Sequence, residues 1–205
     1  MPDPSDRWLA AGTRAVYEAS AVGFDRHRAR GLFERGWLGR FAALLPEGVP
    51  VLDLGCGTGD PIARWLLGAG FAVTGVDFSG AMLAIARARF PQAEWLEADM
   101  RGLDLGRRFG GILAWDSFFH LTPEDQRAMF RVFARHLAPG GALMFTCGPD
   151  AGETVGAVEG RPVYHASLAP AEYAALMAAQ GLVPRAFAAE DPGCGGHSVW
   201  LARAG

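Results

Sequence analysis

The stretch that decides the fold is VLDLGCGTGD, residues 51–60. It joins a short apolar run, residues 49–55, to a turn that contains Gly55, Gly57 and Gly59, and the apolar run predicts a buried strand. Glycines let a backbone turn sharply and approach a ligand closely. A strand that passes through such a turn into a helix is typical of the ligand-binding corner of an open α/β sheet. Packing of the strand against the helix would by itself also explain these glycines.

Strand-like and helix-like segments alternate on the carboxyl side of this stretch. The further predicted strands are residues 71–77, 93–99, 109–115, 142–147, 182–191 and 197–204, and the predicted helices are residues 60–70, 79–90, 122–137 and 167–181. Helices of this length between strands predict parallel crossovers. Only DPGCGG separates the last two strands, so they are predicted to form an antiparallel hairpin. We therefore predict a doubly wound, Rossmann-like α/β fold with a mostly parallel sheet.

Length and composition exclude several classes of protein. The chain has 205 residues, of which 50% are hydrophobic, and this predicts one globular domain, residues 1–205. Residues 1–45 lie outside the alternation of strands and helices, so we predict that they form a helical cover across the functional edge of the α/β core, residues 46–205. A net charge of −3 argues against a dedicated nucleic-acid binder. No run approaches the roughly 18 apolar residues of a membrane span. The polar start, MPDPSDRW, lacks the apolar segment of a secretory signal.

Two residue types add to these exclusions. All 19 basic residues are arginine, and without lysine the chain cannot use Schiff-base or P-loop chemistry. The three cysteines, Cys56, Cys147 and Cys194, are widely spaced and predict reduced thiols in the cytoplasm.

The acids beside the glycine turn distinguish two nucleotide cofactors. A dinucleotide site needs a third glycine where this chain has Asp60, because the pyrophosphate rests on the helix N-terminus. A carboxylate there, together with Asp53, would repel a doubly charged pyrophosphate. The same acids suit a ligand that carries an ammonium and a positively charged sulfonium. Charge therefore favours S-adenosylmethionine over NAD.

Acids also end the next two predicted strands. Asp77 would accept hydrogen bonds from both hydroxyls of a ribose, a role that an acid also has in NAD enzymes. Asp99 would accept a hydrogen bond from an adenine amino group, with Met100 against the ring. Either acid alone could instead cap the segment that follows it. Three acids at the ends of three successive strands favour a nucleoside site.

The order of the motifs extends this interpretation to most of the chain. With these motifs the sequence resembles the class I S-adenosylmethionine-dependent methyltransferases: VLDLGCGTGD (51–60), VTGVDFS (73–79), EADM (97–100), ILAWDSFFHL (112–121) and HLAPGGALMF (136–145). Residues 109–204 also resemble small bacterial members of that family. The resemblance implies a seven-stranded sheet that ends in an antiparallel strand. It implies a cofactor site made of Asp53, Gly55, Cys56, Gly57, Gly59, Asp77, Phe78, Asp99, Met100, Trp115 and Asp116, with the last two at the methyl end.

The expected topology sorts the histidines. His120 follows the fourth strand at the functional edge and is the candidate general base, with a hydrogen-bonded structural role as the alternative. His165, in the insertion after the fifth strand, and His197, at the start of the last strand, are predicted at the same edge. His136 is predicted at the far end of a helix, where it would complement the helix dipole.

Aromatic residues near that edge predict a pocket for the methyl acceptor. Ordinary core packing is the alternative for each of its predicted members, which are Tyr17, Phe118, Phe119, Tyr164, His165 and His197. The run DRHRAR, residues 25–30, is predicted to be a solvated helix face, with reception of an anionic substrate or RNA as the alternative. No pair of histidines has metal-ligand spacing and no Cys-x-x-Cys occurs in the sequence, so no metal is expected.

We therefore predict a cytoplasmic enzyme that transfers a methyl group from S-adenosylmethionine. The acceptor is predicted to be a small molecule, because the N-terminal cover is short and no recognition domain is appended to it. Two alternatives remain. One is an NAD(P)-dependent oxidoreductase, which Asp53 and Asp60 oppose. The other is a non-catalytic regulator that binds S-adenosylmethionine.

Overall fold

The computed structural model describes residues 8–205, so the expectation for the first seven residues of MPDPSDRW lies outside the described part of the chain. Its main sheet has seven strands in the order β3-β2-β1-β4-β5-β9-β8. These strands are β1 (Pro50–Leu54), β2 (Ala72–Asp77), β3 (Glu94–Glu97), β4 (Phe109–Ala114), β5 (Leu137–Cys147), β8 (Leu182–Asp191) and β9 (His197–Ala204). The first five are parallel, and β9 pairs antiparallel with both β5 and β8. This confirms the predicted fold class.

Helices cover both faces of the sheet. They are α1 (Trp8–His27), α2 (Arg35–Ala42), α3 (Ile62–Gly68), α4 (Gly80–Arg89), α5 (Pro123–His136) and α6 (Pro170–Ala179). Leu52 and Ile112 point to the face covered by α5 and α6, whereas Val51 and Leu113 point to the face covered by α2, α3 and α4. Alternate residues of a strand point to opposite faces, which is why these central strands are apolar throughout.

Side-chain caps fix two helix starts where the sequence predicts them. The Ser79 hydroxyl accepts from Met82 N at 3.2 Å, and the Thr122 hydroxyl accepts from Asp125 N at 3.2 Å. The dipole role predicted for His136 is wrong. The ring is buried, its Nδ1 lies 2.8 Å from the Val132 carbonyl oxygen, and its Nε2 accepts from Leu105 N at 3.0 Å. An Nε2 that accepts carries no proton, so this histidine is neutral.

The insertion after β5 folds into a hairpin that the sequence analysis did not predict. Its strands are β6 (Gly152–Val158) and β7 (Arg161–Ser167), paired antiparallel. Glu159 and Gly160 connect them with φ values of 49° and 73°, which is the backbone of a tight hairpin turn.

The two helices before β1 have different positions. α1 packs along β7 and α4, and His27 at its end lies 3.1 Å from the Glu159 carboxylate. α2 instead packs on a face of the sheet, where Trp37, Leu38 and Phe41 are buried in the core. Only α1 therefore lies across the edge at which the parallel strands end. Among the described residues, no helix combines the length and the apolar character that a membrane crossing requires.

Candidate active site

A cleft of about 270 Å³ lies at the carboxyl ends of the parallel strands, under α1. The structure brings every residue of the expected cofactor site to its lining, and Tyr17 and His120 with them. The predicted residues in this lining are Tyr17, Asp53, Gly55, Cys56, Gly57, Gly59, Asp77, Phe78, Asp99, Met100, Trp115, Asp116 and His120.

The three glycines of the turn all have positive φ, but their surroundings differ. A Cβ on Gly55 would come within 2.2 Å of Ser117 Cβ, and a Cβ on Gly59 within 2.9 Å of Trp95. A Cβ on Gly57 would meet only Phe24, at 3.9 Å. Close packing therefore explains Gly55 and Gly59, which is the alternative considered from the sequence. Gly57 instead lies beside open space in the cleft.

Asp77 ties the glycine turn to the start of α4. Its two carboxylate oxygens accept from Gly57 N at 2.9 Å and from Ser79 N at 2.8 Å. Burial raises the pKa of this carboxyl, while those two hydrogen bonds oppose the shift. Asp77 thus holds the backbone of Ser79, the residue that caps α4, and it lines the cleft as well.

Asp53 is buried in the lining of the cleft. Burial, and next the nearby charge of Asp77, raise its pKa to about 7. A positively charged group of a ligand would stabilise the ionised form of Asp53, because an unpaired buried charge is costly.

The role predicted for Asp60 is wrong. Its side chain is 2% exposed, and Arg64 binds both of its oxygens at 2.9 and 2.8 Å. Arg30 and Arg89 lie 3.4 and 3.8 Å from the same carboxylate. These arginines neutralise Asp60, so it is not a free negative charge facing the cleft.

Asp99 takes the capping role considered for it, and it also lines the cleft. It caps the short 3₁₀ helix Met100–Gly102 by accepting from Arg101 N, and it forms an ion pair with the Arg101 side chain. These contacts are half exposed at the mouth of the cleft. Met100 is buried beneath them.

The half-buried Tyr17 and the buried His120 form a hydrogen-bonded pair in the wall of the cleft. His120 Nδ1 lies 2.9 Å from the Tyr164 carbonyl oxygen, which can only accept, so Nδ1 carries the proton. The Tyr17 hydroxyl, 2.8 Å from His120 Nε2, therefore donates to the free lone pair of that nitrogen. Burial lowers the pKa of His120 to about 4 and raises the pKa of Tyr17.

Several predicted members of the acceptor pocket lie elsewhere. Phe118 is fully buried among the phenylalanines packed under α5, because the 3₁₀ turn Phe118–His120 directs it into the core. Tyr164 is buried between α1 and the hairpin, with its hydroxyl bonded to Glu153. Phe119 and His165 line a neighbouring cavity of about 290 Å³ between the end of β5 and the hairpin. These four residues do not line the main cleft.

His197 lies behind the cleft and contacts it through Asp116. Its Nε2 is 2.9 Å from Asp116 Oδ1, and the hydrogen bond to that carboxylate raises the pKa of the imidazole. The ring stacks between Phe33 and Trp115, at 5.3 and 5.6 Å between centroids. Asp116 itself has a φ of 50°, a conformation that few residues other than glycine adopt, and Thr146 accepts its N–H.

Among the lining residues that the sequence analysis did not predict, one carries a positive charge that is largely buried. Arg28, in the run predicted to be a solvated helix face, has a side chain only 19% exposed and lines the cleft. Its guanidinium lies 3.6 Å from both Asp116 and Glu34. Asp25 in the same run binds Arg89 of α4 through both oxygens at 2.7 Å, and Arg30 lies 3.2 Å from the Asp25 carboxylate. These ion pairs hold the end of α1 against the core.

No cluster with the makeup of a metal site occurs within residues 8–205.

Comparison with known proteins agrees with this geometry. Residues 51–141 match the model of a methyltransferase domain family. A dTDP-4-amino-2,3,4,6-tetradeoxy-D-glucose N,N-dimethyltransferase of Saccharopolyspora spinosa is 40% identical over 103 residues, which are 49% of this chain and 41% of that protein. A 2-phytyl-1,4-naphtoquinone methyltransferase of Thermosynechococcus vestitus is 41% identical over 106 residues, 47% of this chain and 45% of that protein. The matched segment thus spans less than half the length of these curated relatives.

The fold is similar over a longer stretch. The structure of the 1,6-didemethyltoxoflavin-N1-methyltransferase of Burkholderia thailandensis, with 1,6-didemethyltoxoflavin and S-adenosylhomocysteine bound, superposes with a TM-score of 0.76 at 22% identity. The superposition covers 100% of this chain and 92% of that one. Residues 51–141 thus match a methyltransferase domain family, and the described part of the chain shares the fold of this Burkholderia thailandensis enzyme's structure.

Proposed function

We propose that this protein transfers a methyl group from S-adenosylmethionine to a small-molecule acceptor, in the cleft under α1. The observation that carries the proposal is the gathering of the glycine turn, Asp53, Asp77 and Asp99 around that one cleft, at the ends of three successive strands. Such strand ends are where open α/β sheets bind their ligands.

The residues of the cleft fit the cofactor part by part. Asp77 keeps lone pairs beyond its two backbone hydrogen bonds, and these would accept from the ribose hydroxyls. Met100 and Phe78 would enclose the adenine, with Asp99 accepting from its amino group at the mouth. Gly57 would let the backbone approach the ligand closely. The charge argument against a dinucleotide now rests on Asp53 alone, because Asp60 is neutralised by its arginines.

The methyl end is assigned to Trp115 and Asp116, with Tyr17 and His120 beside them. When bound, S-adenosylmethionine supplies a methyl group on a positively charged sulfur leaving group. The chain has to align the acceptor and remove its proton. We assign proton removal to the hydrogen-bonded pair of Tyr17 and His120: Tyr17 Oη takes the proton of the acceptor as its own proton passes to His120 Nε2. The Tyr164 carbonyl keeps Nδ1 protonated and the ring fixed in this orientation.

The acceptor is proposed to be a small molecule, which enters between α1 and the end of β4. The relatives named above act, by their names, on a nucleotide-linked amino sugar and a quinone, so the family itself does not select one acceptor. We propose further that residues 1–205 form one functional domain. Three free cysteines are consistent with action in the cytoplasm.

A screen with labelled methyl donor tests the activity. The purified protein and S-adenosylmethionine labelled in its methyl group are incubated with fractionated metabolite extracts, and products that gain the label are identified by mass spectrometry. We expect label in a small molecule, and none with a folded Gly57→Val variant as the control. Binding of the cofactor without label in any fraction would favour the non-catalytic regulator instead.

A further inference from the structure

The cavity between the end of β5 and the β6–β7 hairpin, which we call the hairpin cavity, has no role in the proposed reaction. Its volume of about 290 Å³ is close to the 270 Å³ of the cleft, and no described residue lines both. The rings of Phe119 and His165 line the hairpin cavity and pack on His120 of the cleft, at 4.9 and 4.8 Å between centroids. One layer of rings therefore separates two spaces that are each large enough for a small molecule.

The hairpin makes room for the imidazole that lines this cavity. A Cβ on Gly156 of β6 would come within 2.5 Å of His165 Cε1, so the glycine leaves the space that the ring occupies. Cys147 and Ala166 line the same cavity, and both are buried. Burial raises the pKa of the Cys147 thiol to about 12, so this thiol is uncharged. The cavity thus combines aromatic rings with uncharged, largely apolar side chains.

The charged side chains of the hairpin cavity are acidic. Asp150 and Glu153 supply two carboxylates, and there is no arginine among the described residues that line it. The Tyr164 hydroxyl donates to Glu153 and restricts the position of that carboxylate. Burial lowers the pKa of His165, so its imidazole is neutral at pH 7.5. A cation would meet two carboxylates and an aromatic ring here, whereas an anion would be repelled.

We propose that the hairpin cavity binds a small protonated amine with an apolar body. The ammonium group would lie near the carboxylates of Asp150 and Glu153, and the body would pack on Phe119, Cys147 and Ala166. This inference does not depend on the proposed function, because the two sites share no described lining residue. Failure of one would leave the other standing.

Three probes with the same ring and different charges test the proposal. Benzylamine, benzyl alcohol and benzoate, which are positive, neutral and negative at pH 7.5, are titrated into the purified protein. Binding is followed by NMR of ¹³C-labelled threonine methyl groups. Thr154 lines the hairpin cavity, whereas Thr58 and Thr122 line the cleft, so the spectra show which of the two spaces is occupied.

Two double variants separate local charge from total charge. Asp150→Asn with Glu153→Gln removes both carboxylates at nearly constant size, and the glutamine can still accept from Tyr164. The control, Asp104→Asn with Glu47→Gln, makes the same two changes at exposed positions outside both cavities. A Thr154 signal at the wild-type position before titration shows that the hairpin of each variant is folded.

We expect benzylamine to shift the Thr154 signal with an affinity about 3- to 30-fold higher than that of benzyl alcohol, the effect of an exposed ion pair and a cation–π contact. Benzoate should leave the signal unchanged. In the cavity variant the affinities of benzylamine and benzyl alcohol should agree within about twofold, and the control should keep their difference.

Three results would overturn the proposal. One is equal affinity of the wild type for benzylamine and benzyl alcohol. Another is a response to benzylamine that is absent at Thr154 or confined to the threonines of the cleft. The third is a folded cavity variant that keeps the full preference for benzylamine, because the two carboxylates would then not be its source.

Discussion

Substitutions at Gly57 and Gly59 can separate the effect of contact with a ligand from the effect of packing within the fold. Both have positive φ, 52° and 76°. A residue other than glycine in the left-handed region costs about 1–2 kcal/mol. In a domain of this size that cost lowers Tm by roughly 2–8 °C. Gly57→Ala and Gly59→Ala share it, so they are matched variants.

The two added methyl groups meet different surroundings. On Gly57 the methyl group has only Phe24 nearby, at 3.9 Å, and extends into the cleft. If it displaces the ligand enough to break one hydrogen bond to a charged group, affinity falls by about 10- to 150-fold. On Gly59 the methyl group lies 2.9 Å from Trp95 and 3.2 Å from Phe90. Overpacking adds about 1–3 kcal/mol, so the total cost is roughly 2–5 kcal/mol.

Thermal unfolding and calorimetric titration with S-adenosylhomocysteine measure both effects. Gly57→Ala should lose affinity with a small fall in Tm, and Gly57→Val should lose binding altogether. Gly59→Ala should lose about 4–20 °C in Tm and keep most of its affinity at a temperature where it is folded. A folded Gly57→Ala protein that binds as the wild type does, beside a Gly59→Ala protein that does not, would refute this division of roles.

Three further predictions concern charges and protons. Asp77→Ala should weaken S-adenosylmethionine and S-adenosylhomocysteine alike, by about 10- to 150-fold in titrations, and unequal losses would argue against a ribose contact. Asp53 is ionised above its pKa of about 7 and neutral below it. The preference for cationic S-adenosylmethionine over uncharged S-adenosylhomocysteine should therefore fall as the pH drops through 7. A constant ratio of the two affinities from pH 6 to 8 would exclude this role. Once an acceptor is known, His120→Ala and Tyr17→Phe should each lower kcat by about 10²–10⁴-fold with little change in S-adenosylhomocysteine affinity, whereas unchanged kcat would make the pair structural.

The strand ends were predictable because their signals are local. Asp53, Asp77 and Asp99 each follow an apolar run, and parallel strands bring such positions to one edge of the sheet. The β6–β7 hairpin was missed although its signal was present. The Glu159–Gly160 turn separates two segments in which buried and exposed residues partly alternate, but only the turn geometry sets their register.

Contacts made by distant parts of the chain were beyond the sequence analysis. Nothing near Asp60 in the sequence indicates that Arg30 and Arg89 join Arg64 in neutralising it. The position of Arg28 was also unpredictable, because the charged run around it is typical of a solvated helix face. Only the packing of α1 over the cleft shows that Arg28 lines it. Phe118 and His120 are two residues apart, and only the 3₁₀ turn sends one to the core and the other to the cleft wall.

The central claim is that the cleft under α1 binds S-adenosylmethionine, and titration of the wild type with three ligands tests it most directly. S-adenosylmethionine, S-adenosylhomocysteine and NAD are titrated separately into the same preparation at pH 7.5, with each complex then challenged by the other ligands. We predict that the first two ligands bind at one site per chain and compete with each other, and that NAD gives no heat. Binding of NAD, with no binding of S-adenosylhomocysteine, would contradict the central claim.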